Sequence, residues 1–230
     1  MDKYEIAKRI ENFAPIETQE EWDCSGWGID IEGYNEAKKI MLCLTVTYDI
    51  VNQARKLNCD LIISHHPCFY IPLEWSDINI YSAHTNLDKA NGGTTDTLIE
   101  KIGLSKYQIE TDHDFLRLIN YPVSVENFNK LLKKVSPNTR IINNNSQKQL
   151  NKIAFCAGSG AEFINQAHEL GADCFVTGDL KFHTVLESPI LLYDIGHFES
   201  EILVLPVLKE IIGSEAEVFY AEEKSPFAQI

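Results

Sequence analysis

None of the 230 residues belongs to an apolar run long enough to cross a bilayer, so the sequence contains no membrane-spanning helix. Basic side chains are scarce. Twenty lysines and arginines face thirty-four acidic residues, for a net charge of −14. A surface that acidic repels phosphate backbones and argues against non-specific nucleic-acid binding. It does not bar a small phosphorylated ligand at a metal site, where bound cations set the local sign. The six cysteines, Cys24, Cys43, Cys59, Cys68, Cys156 and Cys174, include no Cys-x-x-Cys pair. Several sit in apolar runs as small buried hydrophobes, the usage expected in a reducing cytoplasm. The opening Met1-Asp2-Lys3-Tyr4-Glu5 carries charge where an export signal needs its apolar segment, so no such signal is expected. There is no Gly-x-Ser-x-Gly elbow and no convincing Cys–His pair; Cys68, near two histidines, reads more simply as a loop residue.

What is present is a series of α/β units. Residues 3–14 pattern as an amphipathic helix, with Asp2 as its cap and Pro15 at its end. An acidic, aromatic stretch follows, Glu20-Glu21-Trp22-Asp23-Cys24-Ser25-Gly26-Trp27-Gly28. It reads as a packed corner, with Trp22 and Trp27 able to wall a pocket. Residues 39–46 form a strand pattern, 48–57 a helix and 60–64 a second strand, a βαβ unit with a parallel pair. Further strands are expected at 78–83, 115–121, 140–142 and 217–221, and helices at 94–102 and 124–135. The polar Asn143-Asn144-Asn145-Ser146-Gln147 is the best linker, so halves at 1–145 and 146–230 are expected, making one compact intertwined unit.

The second half repeats the first at an offset of 113 residues. Lys152-Ile153 falls on Lys39-Ile40, Asn165-Gln166-Ala167 on Asn52-Gln53-Ala54, and Asp173 on Asp60. The ungapped Asn-Gln-Ala identity favours a duplication. In the copy, Gly178 and Asp179 occupy the positions of His65 and His66.

Histidines and carboxylates recur where strands run out. His65 and His66 stand before Pro67, which favours extended backbone at His66. Adjacent side chains on extended backbone point opposite ways, so this pair suits two ions better than one; the bland reading is a solvated loop. His84 and Asp88 follow the next strand, with a plain turn as the alternative for Asp88. His197 and Glu201 lie one helical turn apart after the apolar run 190–193. They form either a metal-gripping pair or a strand cap beside a carboxylate drawn to a helix N-terminus. Asp179 and His183 are four apart at the strand end of the repeat. Gly158-Ser159-Gly160, between a strand and a helix, offers either a weak anion site or a tight turn. Mixed imidazole and carboxylate donors suit zinc, iron, manganese or cobalt and fit calcium and magnesium poorly. Five such residues exceed what one open catalytic metal needs and suit two bridged metals.

These stretches, in order, resemble the Nif-three-like dinuclear-metal family, whose members often carry a type 2 GTP cyclohydrolase-like label. The matching motifs are Ser64-His65-His66-Pro67, His84-Thr85-Asn86-Leu87-Asp88, Gly158-Ser159-Gly160, Thr177-Gly178-Asp179 and Gly196-His197-Phe198-Glu199-Ser200-Glu201. Trp22-Asp23-Cys24-Ser25-Gly26-Trp27 is similar to that family's Trp-Asp-Asn-x-Gly opening, with Cys24 in place of Asn. The chain has only the Asn-rich linker where longer relatives carry an inserted domain, and so resembles the compact form. The resemblance implies a duplicated α/β fold, mixed sheets covered by helices, and a toroidal homohexamer with inward-facing metal sites. It implies two divalent ions per chain on His65, His66, Asp88, His197 and Glu201, with Asp88 and Glu201 bridging. His84, Asp179 and His183 match positions near the site and are acid–base candidates. Three functions follow: a metal-dependent hydrolase of a nucleotide-like or phosphorylated small molecule, a metal-handling protein, or a regulatory scaffold with structural metals. Family analogy does not choose among them.

Overall fold

A computed structural model of the protein describes residues 1–227. The first part of the chain runs α1 (Lys3–Phe13), β1 (Gly26–Ile29), β2 (Lys39–Thr45), α2 (Tyr48–Leu57), β3 (Leu61–His66), β4 (Asn79–Ser82) and α3 (Thr85–Lys89). Then follow α4 (Thr94–Lys101), β5 (Gln108–Ile109), β6 (Arg117–Ser124), α5 (Val125–Leu132), β7 (Arg140–Ile142), β8 (Gln149–Phe155), α6 (Ile164–Glu169) and β9 (Cys174–Thr177). The last part comprises α7 (Phe182–Leu186), β10 (Leu191–Asp194), α8 (His197–Glu201), α9 (Leu205–Ile212) and β11 (Glu217–Tyr220). The α/β class expected from the sequence is what forms: two mixed sheets covered by helices.

The chain divides into two compact units. The first holds Met1–Gly93 and Val204–Lys224, the second Thr94–Leu203 and residues 225–227. The boundary expected after residue 145 is therefore corrected. Strands β5, β6 and β7 lie before it, yet they belong to the same sheet as β8, β9 and β10. The Asn-rich segment is a connection inside the second unit, where Asn143 closes its own turn by donating to the Gln147 carbonyl and accepting from the Gln147 amide.

In the first unit the strand order is β1-β4-β3-β2-β11, parallel except for edge strand β1. Helix α1 starts where the Asp2 carboxylate accepts from the Tyr4 amide at 2.8 Å. Met41, Cys43, Ile62 and Ile80 pack on one sheet face against Ile50, Val51 and Ala54 of α2. In the second unit the order is β5-β6-β8-β9-β10-β7. Ile153, Phe155, Cys174, Val176, Leu191 and Tyr193 point to one core, with Leu98, Ile99, Phe128 and Leu132 from α4 and α5. Their neighbours Ala154, Phe175 and Leu192 point to another, with Ile164 and Ala167 of α6. Burial on both faces is why these strands read as continuous apolar runs.

The duplication extends to register. Ile40 pairs with Leu61, and 113 residues later Ile153 pairs with Cys174; the two following pairs match likewise. Asp60 Oδ2 accepts from the amides of Lys38 and Lys39 at 2.8 and 2.9 Å, and Asp173 Oδ2 from those of Asn151 and Lys152 at 2.6 and 3.1 Å. Lys39 Nζ reaches the Leu57 carbonyl, and Lys152 Nζ the Leu170 carbonyl. Each βαβ unit thus uses one aspartate to seat the start of its first strand. Asp60→Ala and Asp173→Ala should each leave two amides without their acceptor and cost about 1–3 kcal/mol. Urea unfolding of the two variants should show comparable losses at unchanged m-value; a loss from one and none from the other would break the equivalence.

Candidate metal centre

The strand ends carry the polar chemistry. In the first unit β3 delivers His65 and His66, and α3, starting just beyond β4, delivers His84 as its N-terminal flanking residue and Asp88 in its last turn. His65 is fully buried. Its Nδ1 bonds the Ala83 carbonyl at 2.8 Å, and because a carbonyl only accepts, Nδ1 carries the proton and Nε2 the lone pair. That Nε2 faces Asp88 Oδ1 at 3.5 Å. The separation is long for a hydrogen bond and close to the roughly 3.4 Å edge of a tetrahedron with metal–ligand bonds of about 2.1 Å. His66 Nδ1 is hydrogen-bonded to the Thr45 hydroxyl at 2.6 Å, across the β2–β3 pair in which Thr45 stands opposite His66. His84 Nδ1 meets Asp23 Oδ1 at 2.9 Å. One ligand nitrogen from each of His65, His66 and His84 lies within 4.8 Å of the others.

Asp23 is the residue that sequence reasoning missed. It stood in the Trp-Asp-Cys stretch that read as a packed corner, and nothing in its spacing pointed to His84, 61 residues on. Its carboxylate also accepts from the amides of Cys24 and Thr85 and from the hydroxyls of Ser25 and Thr85. Burial pushes the carboxyl up, but hydrogen bonds from His84 and Thr85 outweigh it and hold Asp23 well below the usual carboxylate range. Of the two tryptophans, Trp22 is exposed with its ring edge-on to His84 at 5.9 Å, whereas Trp27 packs against Tyr4 and Tyr81.

In the second unit the corresponding strand ends bring together His197, Glu201 and Asp179. His197 Nδ1 lies 2.7 Å from Asp179 Oδ2, and Nε2 lies 2.9 Å from Glu201 Oε2. Burial pushes His197 down, but Glu201 first and Asp179 second push it further up, to about 9. An imidazole between two carboxylates is a site that attracts positive charge, whether a proton or a metal ion. Asp179 has φ +56°, a left-handed conformation that aspartate tolerates and that turns its carboxylate at the end of β9. Gly158 has φ +70°, and a β-carbon there would run into the Glu201 carboxylate. The Gly158-Ser159-Gly160 turn is therefore the close-approach floor beneath Glu201. The Gly158 amide donates to Ser200 Oγ at 2.9 Å and the Gly160 amide to Thr177 Oγ1 at 2.8 Å, which leaves these two donors no hydrogen for an anion. His183 is exposed on α7 with its ring edge-on to Phe182, and it joins none of the ligand groups among the described residues.

The donor chemistry fits divalent transition metals. His65, His84 and His197 each have Nδ1 tied to a carbonyl or carboxylate oxygen, and His66 has Nδ1 tied to a hydroxyl. For His65 and His84 this is the arrangement by which proteins fix the tautomer of a metal-binding histidine and present Nε2; the Thr45 hydroxyl can donate or accept, and His197 Nε2 is itself bonded to Glu201. The side chains show nitrogen and oxygen donors with no thiolate, which favours zinc, iron, manganese or cobalt.

The chain as a whole is similar to known proteins. A Clostridium perfringens protein named GTP cyclohydrolase 1 type 2 homolog is 30% identical, over 97% of both chains. NIF3-like protein 1 of Drosophila melanogaster is 27% identical, over 98% of this chain and 88% of its own. Among solved structures, reduced HcgD from Methanocaldococcus jannaschii superposes with a TM-score of 0.85 at 27% identity, covering 97% of this chain and 98% of that one. A Bacillus cereus protein related to NIF3 shares the fold, with a TM-score of 0.85 at 19% identity over 100% and 99% of the two chains. The model of one family runs along residues 1–226, nearly the whole sequence, and by that match the chain belongs to the Duf34/NIF3 (NGG1p interacting factor 3) family.

Proposed function

We propose that this protein binds two divalent metal ions per chain and uses them to hydrolyse a nucleotide-like or phosphorylated small molecule. In this reading His65, His66, Asp88, His197 and Glu201 would hold the two ions. The observation that carries it is the common tethering of the imidazoles through Nδ1. The relatives named GTP cyclohydrolase 1 type 2 homolog support the hydrolytic part of the reading. Two divalent ions, when bound, supply Lewis acidity and lower the pKa of a nucleophilic water from about 16 towards 7. The chain's own groups do the rest. Ala83, Thr45 and Asp179 hold three ligand imidazoles in register. Gly158 leaves room for Glu201 to sit against the backbone. His183, exposed on α7, or His84 would pass a proton to the leaving group.

Elemental analysis of gently purified protein should find well above one equivalent of divalent metal per chain, and Glu201→Ala should lose most of both ions; a folded Glu201→Ala chain with full metal content would refute the assignment. GTP and a panel of nucleotides and phosphoesters should be turned over by iron-, manganese- or zinc-loaded protein and not by the His65→Ala/His66→Ala double variant. Turnover that survives in the double variant would assign the activity to a contaminant. No turnover across the panel, with rapid transfer of metal to an acceptor, would shift the reading to metal handling.

The family resemblance also supports a ring of six chains. Light scattering on the eluting protein should give six times the mass of one chain; a monomer at micromolar concentration would refute the ring.

A further inference from the structure

The second unit carries a cavity of about 310 Å³ beside His197, and its walls include Asn138, Arg140, Asp194, Glu199 and Phe227. Among the described residues on those walls, Arg140 is the one basic side chain besides His197. Strand pairing puts it there. Arg140 begins β7 and stands opposite Asp194, the last residue of β10, in an antiparallel pair. The buried Asp194 carboxylate accepts from Arg140 Nη2, from the Leu180 amide at 3.2 Å and from the Gly196 amide at 3.1 Å. Two backbone donors fix the carboxylate, and the fixed carboxylate holds the guanidinium. The Arg140 side chain is still 68% exposed, and its other N–H groups remain to take a second oxyanion. The acids around it are engaged: Asp194 with Arg140, and Asp179 with His197 Nδ1. Asn138, two residues before Arg140, is half-buried, and its carboxamide makes no hydrogen bond among the described residues. A carboxamide offers an acceptor and two donors side by side, the pattern that matches the edge of a nucleobase. Phe227 is exposed at the same cavity, and every base has a π-face that stacks on such a ring.

We propose that this cavity takes a nucleoside monophosphate, with Arg140 on the phosphate, Asn138 on the edge of the base and Phe227 against its face. The proposal rests on the reading that His197 serves a hydrolytic centre; it narrows the substrate to a nucleotide and names the residues that select it. It also supplies what the turn at 158–160 does not. The Gly158 and Gly160 amides are bonded to Ser200 and Thr177, so the cation that this part of the chain offers to a phosphate is Arg140. The volume lies near the lower end of the roughly 300–1,000 Å³ of small-molecule sites, which suits a mononucleotide rather than a dinucleotide or a polymer. Arg140 and Asn138 are specificity-determining residues that bind the substrate, and Asp194 is the positioning residue that aims Arg140.

The test is equilibrium binding, which needs no turnover. The full chain is titrated calorimetrically with the four ribonucleoside monophosphates, their nucleosides and inorganic phosphate. One monophosphate or more should bind at least tenfold more tightly than its nucleoside and than inorganic phosphate. Arg140→Ala should weaken that nucleotide roughly 10–100-fold, the effect of losing hydrogen bonds to a charged group, while the nucleoside binds as before. Arg140→Lys, which keeps the charge and loses the fork, should restore part of the loss. Asn138→Ala should weaken nucleotide and nucleoside by the same factor and change the order of preference among the bases. Metal content and far-ultraviolet circular dichroism of all three variants should match the wild type. Four results would overturn the inference: no monophosphate binds at millimolar concentration, inorganic phosphate binds as tightly as any of them, Arg140→Ala leaves nucleotide affinity as it was, or Asn138→Ala leaves the base preference as it was. Each leaves the two-metal reading standing if the same protein holds its ions and turns over another phosphoester. A chain that takes up no metal yet binds a monophosphate through Arg140 would remove that reading and keep this one.

Discussion

The constraint on which the site depends is that each strand-end imidazole is held by its Nδ1. Ala83 O, the Thr45 hydroxyl, Asp23 and Asp179 hold His65, His66, His84 and His197 in turn. A histidine in solution exchanges tautomers and rotates; a neutral ring whose Nδ1 donates to a carbonyl keeps its lone pair on Nε2, as His65 does, whereas His197 is also bonded to Glu201 through Nε2 and is drawn to the protonated form. Two of the four partners are carboxylates, which add basicity to the ring they hold. The charge inventory agrees. The chain is strongly acidic overall, and in the second unit Asp179 and Glu201 both turn towards one imidazole and raise its proton affinity. Such a group calls for a cation.

The fold supplies these partners by repetition. Each βαβ unit ends in a strand whose last residues leave the sheet beside the next strand end. Ala83 N donates to the Ser64 carbonyl in the first unit, and Ile195 N to the Thr177 carbonyl in the second. Beyond these points both units place a five-residue helix, α3 in one and α8 in the other. The two copies then differ in what they carry. The first has two histidines on β3, while the second has Gly178 and Asp179 beyond β9 and keeps its imidazole at the start of α8. The two frames match in register, and different donors stand at their equivalent strand ends.

Much of this was legible in the sequence. The βαβ boundaries, the Asp2 cap, the parallel pairing and the 113-residue offset follow from periodicity and from the ungapped Asn-Gln-Ala match, because burial on both sheet faces and repeated helix caps leave strong local marks. The histidines themselves stood out at strand ends. The unit boundary did not: residues 94–142 carry strand and helix patterns that are equally compatible with either sheet, and the choice is made by long-range pairing of β6 with β8 and β7 with β10. Asp23 and Thr45 were hidden for the same reason. Their importance lies in hydrogen bonds to residues 61 and 21 positions away, which no local pattern encodes. The glycine turn at 158–160 reads as either a weak anion site or a tight turn, because its small residues suit both; the Gly158 and Gly160 amides bond to Ser200 and Thr177, which only the packed loop reveals.

The central claim is that the imidazoles serve a metal through Nε2 while Nδ1 stays with its protein partner. Anomalous diffraction from crystals grown with manganese or zinc measures this most directly. The account predicts anomalous peaks at bonding distance, roughly 2.0–2.2 Å, from Nε2 of His65, His66 and His197, with the Nδ1 bonds to Ala83, Thr45 and Asp179 intact. Metal bound through Nδ1, or no anomalous peak at these histidines in crystals saturated with the ion, would contradict it.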